Sequence, residues 1–178
     1  MGTPLRYLLF ICGVYLASSL QTAAQKIALP LRANKIVYSD TVIVGNNYDP
    51  SHLFNNATDW YQRNFETADN TLSVNNSTDH TISGSGIIHR KRGNDKAEQN
   101  DIYFTINITT LPGAYAYYVY DIYSRADTDK IYYSDIYNEE RFPTHKPRWT
   151  ESTRHDKLTY LDARIQEMLS NLNITMKK

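Results

Sequence analysis

The 178-residue chain predicts an α+β fold: an antiparallel sheet in β-α-β-β-β-β-α order, with two helices packed on one of its faces. Three observations carry this. Two β-branched and aromatic runs within 101–124 meet at Leu111-Pro112-Gly113-Ala114, where proline with its fixed φ followed by glycine with its free φ suits the centre of a tight turn. Leu53, Ala57, Trp60, Tyr61 and Phe65 fall near helical spacing behind Asp49-Pro50, an N-cap with proline at the first helical position. Leu158, Leu161, Ile165, Met168 and Leu172 recur at steps of three and four, the stripe of an amphipathic helix. Both helices must cover a sheet face to bury those stripes.

Taken in order, 25–34 reads as a leading tail and 35–44, rich in Val, Ile, Tyr and Thr, as the first strand, ended by Gly45-Asn46-Asn47. The first helix spans 50–65. Short strands follow at 71–74 and 81–89; the second holds Gly84 and Gly86, which signal a bulge or a close approach by a helix across the sheet. A charged turn at 90–96 leads into the hairpin. In its first arm Ile102, Phe104, Ile106 and Ile108 alternate with Tyr103, Thr105, Asn107 and Thr109, the period of a strand with one buried face. Residues 126–150 read as irregular, broken by Pro143 and Pro147, with a candidate short edge strand at 131–137. The C-terminal helix spans 154–172, with Thr153 and Asp156 as a candidate capping box.

The turn decides which side chains share a face. With Pro112-Gly113 as a two-residue loop, Leu111 pairs with Ala114, so Thr105 faces Tyr120 and Asn107 faces Tyr118. Tyr103, Tyr118 and Tyr120 then line the face the helices leave open, while Tyr117 and Val119 pack with Ile108 and Ile106 beneath the helices. This register turns Asp121 inward beside Phe104, an expensive place for a carboxylate. A one-residue bulge at the turn would instead send Tyr118, Tyr120 and Ile122 inward.

Before the fold comes a leader. Arg6 precedes an apolar run at 7–17, and small residues around Thr22-Ala23-Ala24 follow, the three regions of a secretory signal cut after Ala24. The apolar run is shorter than the roughly 20 residues of a membrane-spanning helix. The expectation is export through a cleaved signal peptide of residues 1–24, to the periplasm or the cell surface, as one domain over 35–178. The single cysteine, Cys12, lies in the leader, so the mature chain has no disulfide and no thiol nucleophile. Export without cysteines points to a bacterial envelope protein. Nineteen basic residues balance nineteen acidic ones, which gives no general pull towards nucleic acid or anionic lipid.

The element order, the pattern LFxxAxxWYxxNF from Leu53, the run I-x-G-x-G-x-I from Ile82 and the arm Tyr-x-Tyr-x-Val-x-Asp-Ile from Tyr115 together resemble an uncharacterised family. It is described as a domain of unknown function with a TATA-box-binding-protein-like (TBP-like) fold, common in exported proteins of Bacteroidetes. The resemblance implies a fold and a compartment, and no established activity. One departure concerns the paired tyrosines of the last strand: the resemblance leads one to expect a basic residue between them, and here it is Ala116.

Catalytic and metal-binding patterns are weak. His52, His80, His89, His145 and His155 are scattered without metal-site spacing. Asp127-x-Asp129 lacks the glycine and distal glutamate of a calcium loop. Ser85 sits in a strand-like run rather than a nucleophile elbow, and Glu139-Glu140 reads as solvated charge. His89-Arg90-Lys91-Arg92 reads as a charged hairpin tip that keeps a sheet edge soluble. The tyrosines stand out: the chain has 15, and Tyr115, Tyr117, Tyr118, Tyr120, Tyr123, Tyr132, Tyr133 and Tyr137 crowd one hairpin arm and the connection after it. Tyrosine offers a flat apolar face and a hydroxyl at modest entropy cost, which suits binding surfaces and sugar rings; it also has high strand propensity.

The sequence therefore leads to a non-enzymatic exported domain without cofactor or metal, binding a ligand or an envelope protein through Tyr103, Tyr118 and Tyr120 on the open face. The alternative is a structural or accessory envelope protein whose open face is an oligomer interface, a homodimer included. Nucleic acid is disfavoured because 97–124 contains no Lys or Arg. The C-terminal stripe supplies a test of the fold. Its five residues contribute on the order of 10 kcal/mol gross when buried, comparable to a whole domain's net stability. Leu161→Asp is expected to prevent stable folding; a cooperative melt within a few degrees of the parent would show that the helix is not docked.

Overall fold

The computed structural model describes residues 27–65, 72–89, 100–126, 129–141 and 148–178. The leader, the basic run after His89, Asp127, Pro143, His145 and Pro147 lie outside the described residues. The described chain runs β1 (Leu31–Arg32), β2 (Lys35–Ile36), β3 (Tyr38–Ile43), α1 (Pro50–Phe65), β4 (Leu72–Asn76), β5 (Thr81–Ile88), β6 (Ile102–Leu111), β7 (Ala114–Ala126), β8 (Asp129–Tyr132), α2 (Tyr133–Arg141) and α3 (Glu151–Met176). The main sheet is antiparallel with strand order β3-β7-β6-β5-β4, and β8 also pairs with β7.

Helix α1 begins where the sequence says it should. Asp49 Oδ1 accepts hydrogen bonds from the Ser51 and His52 amides at 2.8 and 3.0 Å, two of the donors a helix start leaves over. The amide of His52, joined by that of Ser51, holds the exposed Asp49 carboxyl below its usual range. Leu53, Phe54, Ala57, Trp60, Tyr61 and Phe65 are buried, and Tyr61 fits across the sheet because β5 gives way beneath it. A Cβ at Gly84 would stand 2.5 Å from Tyr61 Cζ, and one at Gly86 would stand 2.9 Å from Phe104 Cε1. Gly84 thus marks the close approach of the helix and Gly86 leaves room for the Phe104 ring of the neighbouring strand, while the bulge in this part of the sheet lies between Leu72 and Val74.

Helix α3 buries Leu158, Leu161, Ile165, Met168 and Leu172, and also Leu169 and Met176. Its cap is Thr150, whose side chain accepts from the Thr153 amide; the box expected at Thr153 and Asp156 is corrected by one helical turn. Trp60 Nε1 donates to Asn171 Oδ1 at 2.8 Å, joining α1 to α3, and the Tyr38 hydroxyl donates to Asp162 Oδ1 at 2.9 Å, joining α3 to β3.

Three expectations change around this frame. Residues 25–34 are not a loose tail where they are described: Leu29 is buried in the core, and Leu31 and Arg32 pair with Ile36 and Lys35. The strand expected at 35–44 is split, its first two residues belonging to that ribbon. The segment 131–137 is strand only to Tyr132 and then turns into α2, because Tyr133, Ile136 and Tyr137 reach the core at helical spacing.

The hairpin follows the two-residue loop. Leu111 pairs with Ala114, Thr105 with Tyr120 and Asn107 with Tyr118. The inward Asp121 is corrected. Tyr103 pairs with Tyr123 rather than its neighbour, so Phe104 is opposed by two residues, Asp121 and Ile122. This is a β-bulge, and it lies in mid-strand rather than at the turn. Asp121 is its extra residue, exposed and with φ of 51°, while Ile122 takes the buried position. A left-handed backbone is tolerated by Asp and Gly and resisted by β-branched residues. Asp121→Val is therefore expected to lose roughly 1–2 kcal/mol in chemical denaturation, with Asp121→Gly within about 1 kcal/mol of the parent; equal stability of the two variants would show that the bulge is not left-handed at this residue.

Candidate functional site

The two faces of the sheet differ in chemistry. Ile102, Phe104, Ile106, Ile108, Tyr115, Val119 and Ile122 are buried beneath the helices, with Tyr117 half-buried against the same core. Burial, reinforced by Tyr117 and Asp40, pushes the Tyr115 phenol up to about 12. Burial first and Asp162 second raise Tyr38 well above the ordinary range, and burial does the same for Tyr133. These phenols stay neutral and serve the core.

The other face is set by the register, since alternate residues of each strand point to it. Row by row across the strands it carries Thr81, Thr109, Ala116 and Thr41; then Ser83, Asn107, Tyr118 and Ser39; then Ser85, Thr105 and Tyr120; then Ile87, Tyr103, Tyr123 and Tyr132. Tyr103, Tyr118, Tyr120 and Tyr123 are half-exposed and Tyr132 is exposed. The bulge is what puts Tyr123 on the same face as Tyr118 and Tyr120, because one extra residue shifts the alternation by one position.

The structure divides the three tyrosines chosen from the sequence. Tyr118 and Tyr120 are neighbours, with ring centroids 5.1 Å apart and tilted by 44°, and Arg32 of β1 reaches over Tyr118 at 5.8 Å. Arg32 also lines a shallow cleft with Ala116, Thr41 and Asn107, so a cation from β1 stands close to the place where the resemblance leads one to expect a basic residue. Tyr103 belongs to a second group. It stacks on Tyr123 at 5.1 Å and 11°, and Tyr132 lies next to Tyr123 at 5.7 Å. The Arg125 guanidinium is 4.5 Å from the Tyr103 centroid, and Lys130 Nζ is 4.5 Å from that of Tyr123.

Tyr123, Tyr132, Arg125, Lys130 and Arg32 were not chosen from the sequence. The signal for the two cations is the antiparallel pairing of β7 with β8, which sets Arg125 opposite Lys130 once β8 is recognised as a strand.

The other candidates do not gather into a catalytic or metal site among the described residues. Ser85 is an exposed mid-strand residue whose carbonyl accepts from the Tyr61 hydroxyl. His80 meets Ser51 at 3.0 Å, His52 meets Asn56 at 3.3 Å, and His89 meets Asp101 at 3.2 Å. Among the described residues no three His, Cys, Asp or Glu side chains gather as a metal site, and no helix is long and apolar enough to cross a membrane.

Comparison with known proteins meets the same architecture. No curated protein matches the chain. A solved DUF4468 family protein from Bacteroides ovatus ATCC 8483 superposes with a TM-score of 0.63 at 13% identity, over 84% of this chain and 91% of that one. A solved TBP-like protein from Parabacteroides distasonis ATCC 8503 gives 0.61 at 14% identity, over 80% and 96%. At such identities the likeness is one of fold. Residues 38–125, from the start of β3 to the end of the bulged arm, match the family model described as a domain of unknown function (DUF4468) with TBP-like fold. Through that segment the chain is similar to the DUF4468 family.

Proposed function

We propose that this chain is a non-enzymatic exported domain that binds a ligand or a protein partner through the open, tyrosine-rich sheet face. The observation that carries this reading is the segregation of the tyrosines. Tyr115, Tyr133 and Tyr137 are buried in the core, whereas Tyr103, Tyr118, Tyr120 and Tyr123 stay half-exposed on the helix-free side. Sheet-building alone explains tyrosines in the core; it does not explain a row of them beside Thr, Ser and Asn residues on the wet side. Tyrosine in that setting gives contact area and hydrogen bonds with few rotamers to freeze. Export rests on the leader-like segment at 1–24.

The face is too polar for the core of an obligate dimer, which resembles a protein interior cut in half. Exposed Ile43, at 78%, is the feature that favours an oligomer interface instead; it stands at one end of the face, opposite Ala114. Among the described residues the cations over this face's tyrosines, Arg32, Arg125 and Lys130, are few for tracking a nucleic acid backbone.

Light scattering and a glycan and protein array with the mature chain test the reading together. The expected result is a monomer whose retention by its ligand is lost in Tyr118→Ala and Tyr120→Ala, with both melts within a few degrees of the parent. An obligate dimer that covers the face, or binding that neither substitution weakens, would contradict it.

A further inference from the structure

We infer that the Tyr103–Tyr123 end of the face is an anion-recognising subsite and that its ligand is an acidic oligosaccharide, one bearing uronate carboxylates. This rests on the reading of the open face as a binding face and names the chemistry it takes. A tyrosine that receives a sugar ring needs a bare flat side, and this pair has little to offer. Each ring has its partner ring stacked on it, and each also has a cation 4.5 Å from its centroid, Arg125 over Tyr103 and Lys130 over Tyr123. The rings act as seats for the cations, by the attraction of a positive group to an aromatic face. What the seats present to solvent is two positive heads on paired residues of adjacent strands, beside phenol hydroxyls.

A cleft of about 550 Å³ adjoins them, lined by Ser85, Thr105, Asp121, Tyr132 and the four seat and cation residues. Its size is that of a small-ligand site, and its described lining includes the Arg125 and Lys130 cations and the Asp121 carboxylate. The cations suit a carboxylate; Asp121, Ser85 and Thr105 suit the hydroxyls that surround it on a sugar ring. Tyr118 and Tyr120 continue the same face with Arg32 above them, so a chain of acidic sugars extending past the cleft meets a further cation. A neutral sugar polymer would use none of these three charges.

Isothermal titration of the mature chain with trigalacturonate, maltotriose and inorganic phosphate tests this. Trigalacturonate is expected to bind and to weaken as salt rises, with maltotriose and phosphate at least about tenfold weaker. Lys130→Gln is expected to cost about tenfold in trigalacturonate affinity, and Lys130→Arg to retain most of it. Absence of trigalacturonate binding, equal binding of maltotriose or phosphate, or indifference to Lys130→Gln would overturn the inference. Maltotriose binding that Tyr118→Ala removes would overturn the acidic subsite while leaving the open-face reading in place; a dimer sealing the face would remove both.

Discussion

The register of one hairpin governs the rest of the molecule, and Gly113 holds it. Its φ of 69° closes the two-residue loop, and its backbone also docks the neighbouring elements. The Gly113 amide donates to the Tyr48 carbonyl at 2.9 Å, and its carbonyl accepts from the Val44 and Gly45 amides at 2.9 and 3.1 Å. A Cβ there would stand 2.9 Å from the Gly45 carbonyl oxygen, so the approach depends on glycine twice over, for φ and for space. The same residue thus sets the pairing of β6 with β7, ends β3 and positions the entry to α1. Thr110, buried nearby, adds a bond from its hydroxyl to the Pro50 carbonyl at 2.8 Å.

A fixed register turns alternation into function. Once Leu111 faces Ala114, each position of β7 is committed to a side, and the tyrosines divide accordingly into core phenols and face phenols. Left uninterrupted, that alternation would bury Asp121 and expose Ile122. The bulge solves this with one residue: Asp121 goes to solvent, Ile122 to the core, and Tyr123 arrives beside Tyr103. The cation-bearing end of the face exists because of that correction, since Arg125 takes its place only after the bulge.

The parts legible in the sequence are those where a local signal and the tertiary environment agree. Helix α1 runs from Pro50 to Phe65 as expected because Asp49, Pro50 and the apolar spacing point the same way. The hairpin pairing and the role of Gly84 were legible for the same reason. The bulge was not, because Asp121 is not a glycine and breaks a period-two pattern by a single step. Helix α2 was not, because Tyr133, Ile136 and Tyr137 have strand propensity that docking in the core overrides. The ribbon at Leu31–Ile36 is too short to show a period at all. At the candidate site, the choice of Tyr103, Tyr118 and Tyr120 found the face but not its division, since Tyr123 and the two cations come into place only through the bulge and β8.

Ring and methyl contacts measured by nuclear Overhauser effects in solution test the account at its centre. The account predicts cross-peaks between the Tyr103 and Tyr123 rings, and between the Ile122 methyls and buried core methyls, with none joining the Tyr118 or Tyr120 rings to the methyls of Leu161 or Ile165. Cross-peaks from Tyr118 and Tyr120 to those α3 methyls would place the tyrosines in the core and contradict it.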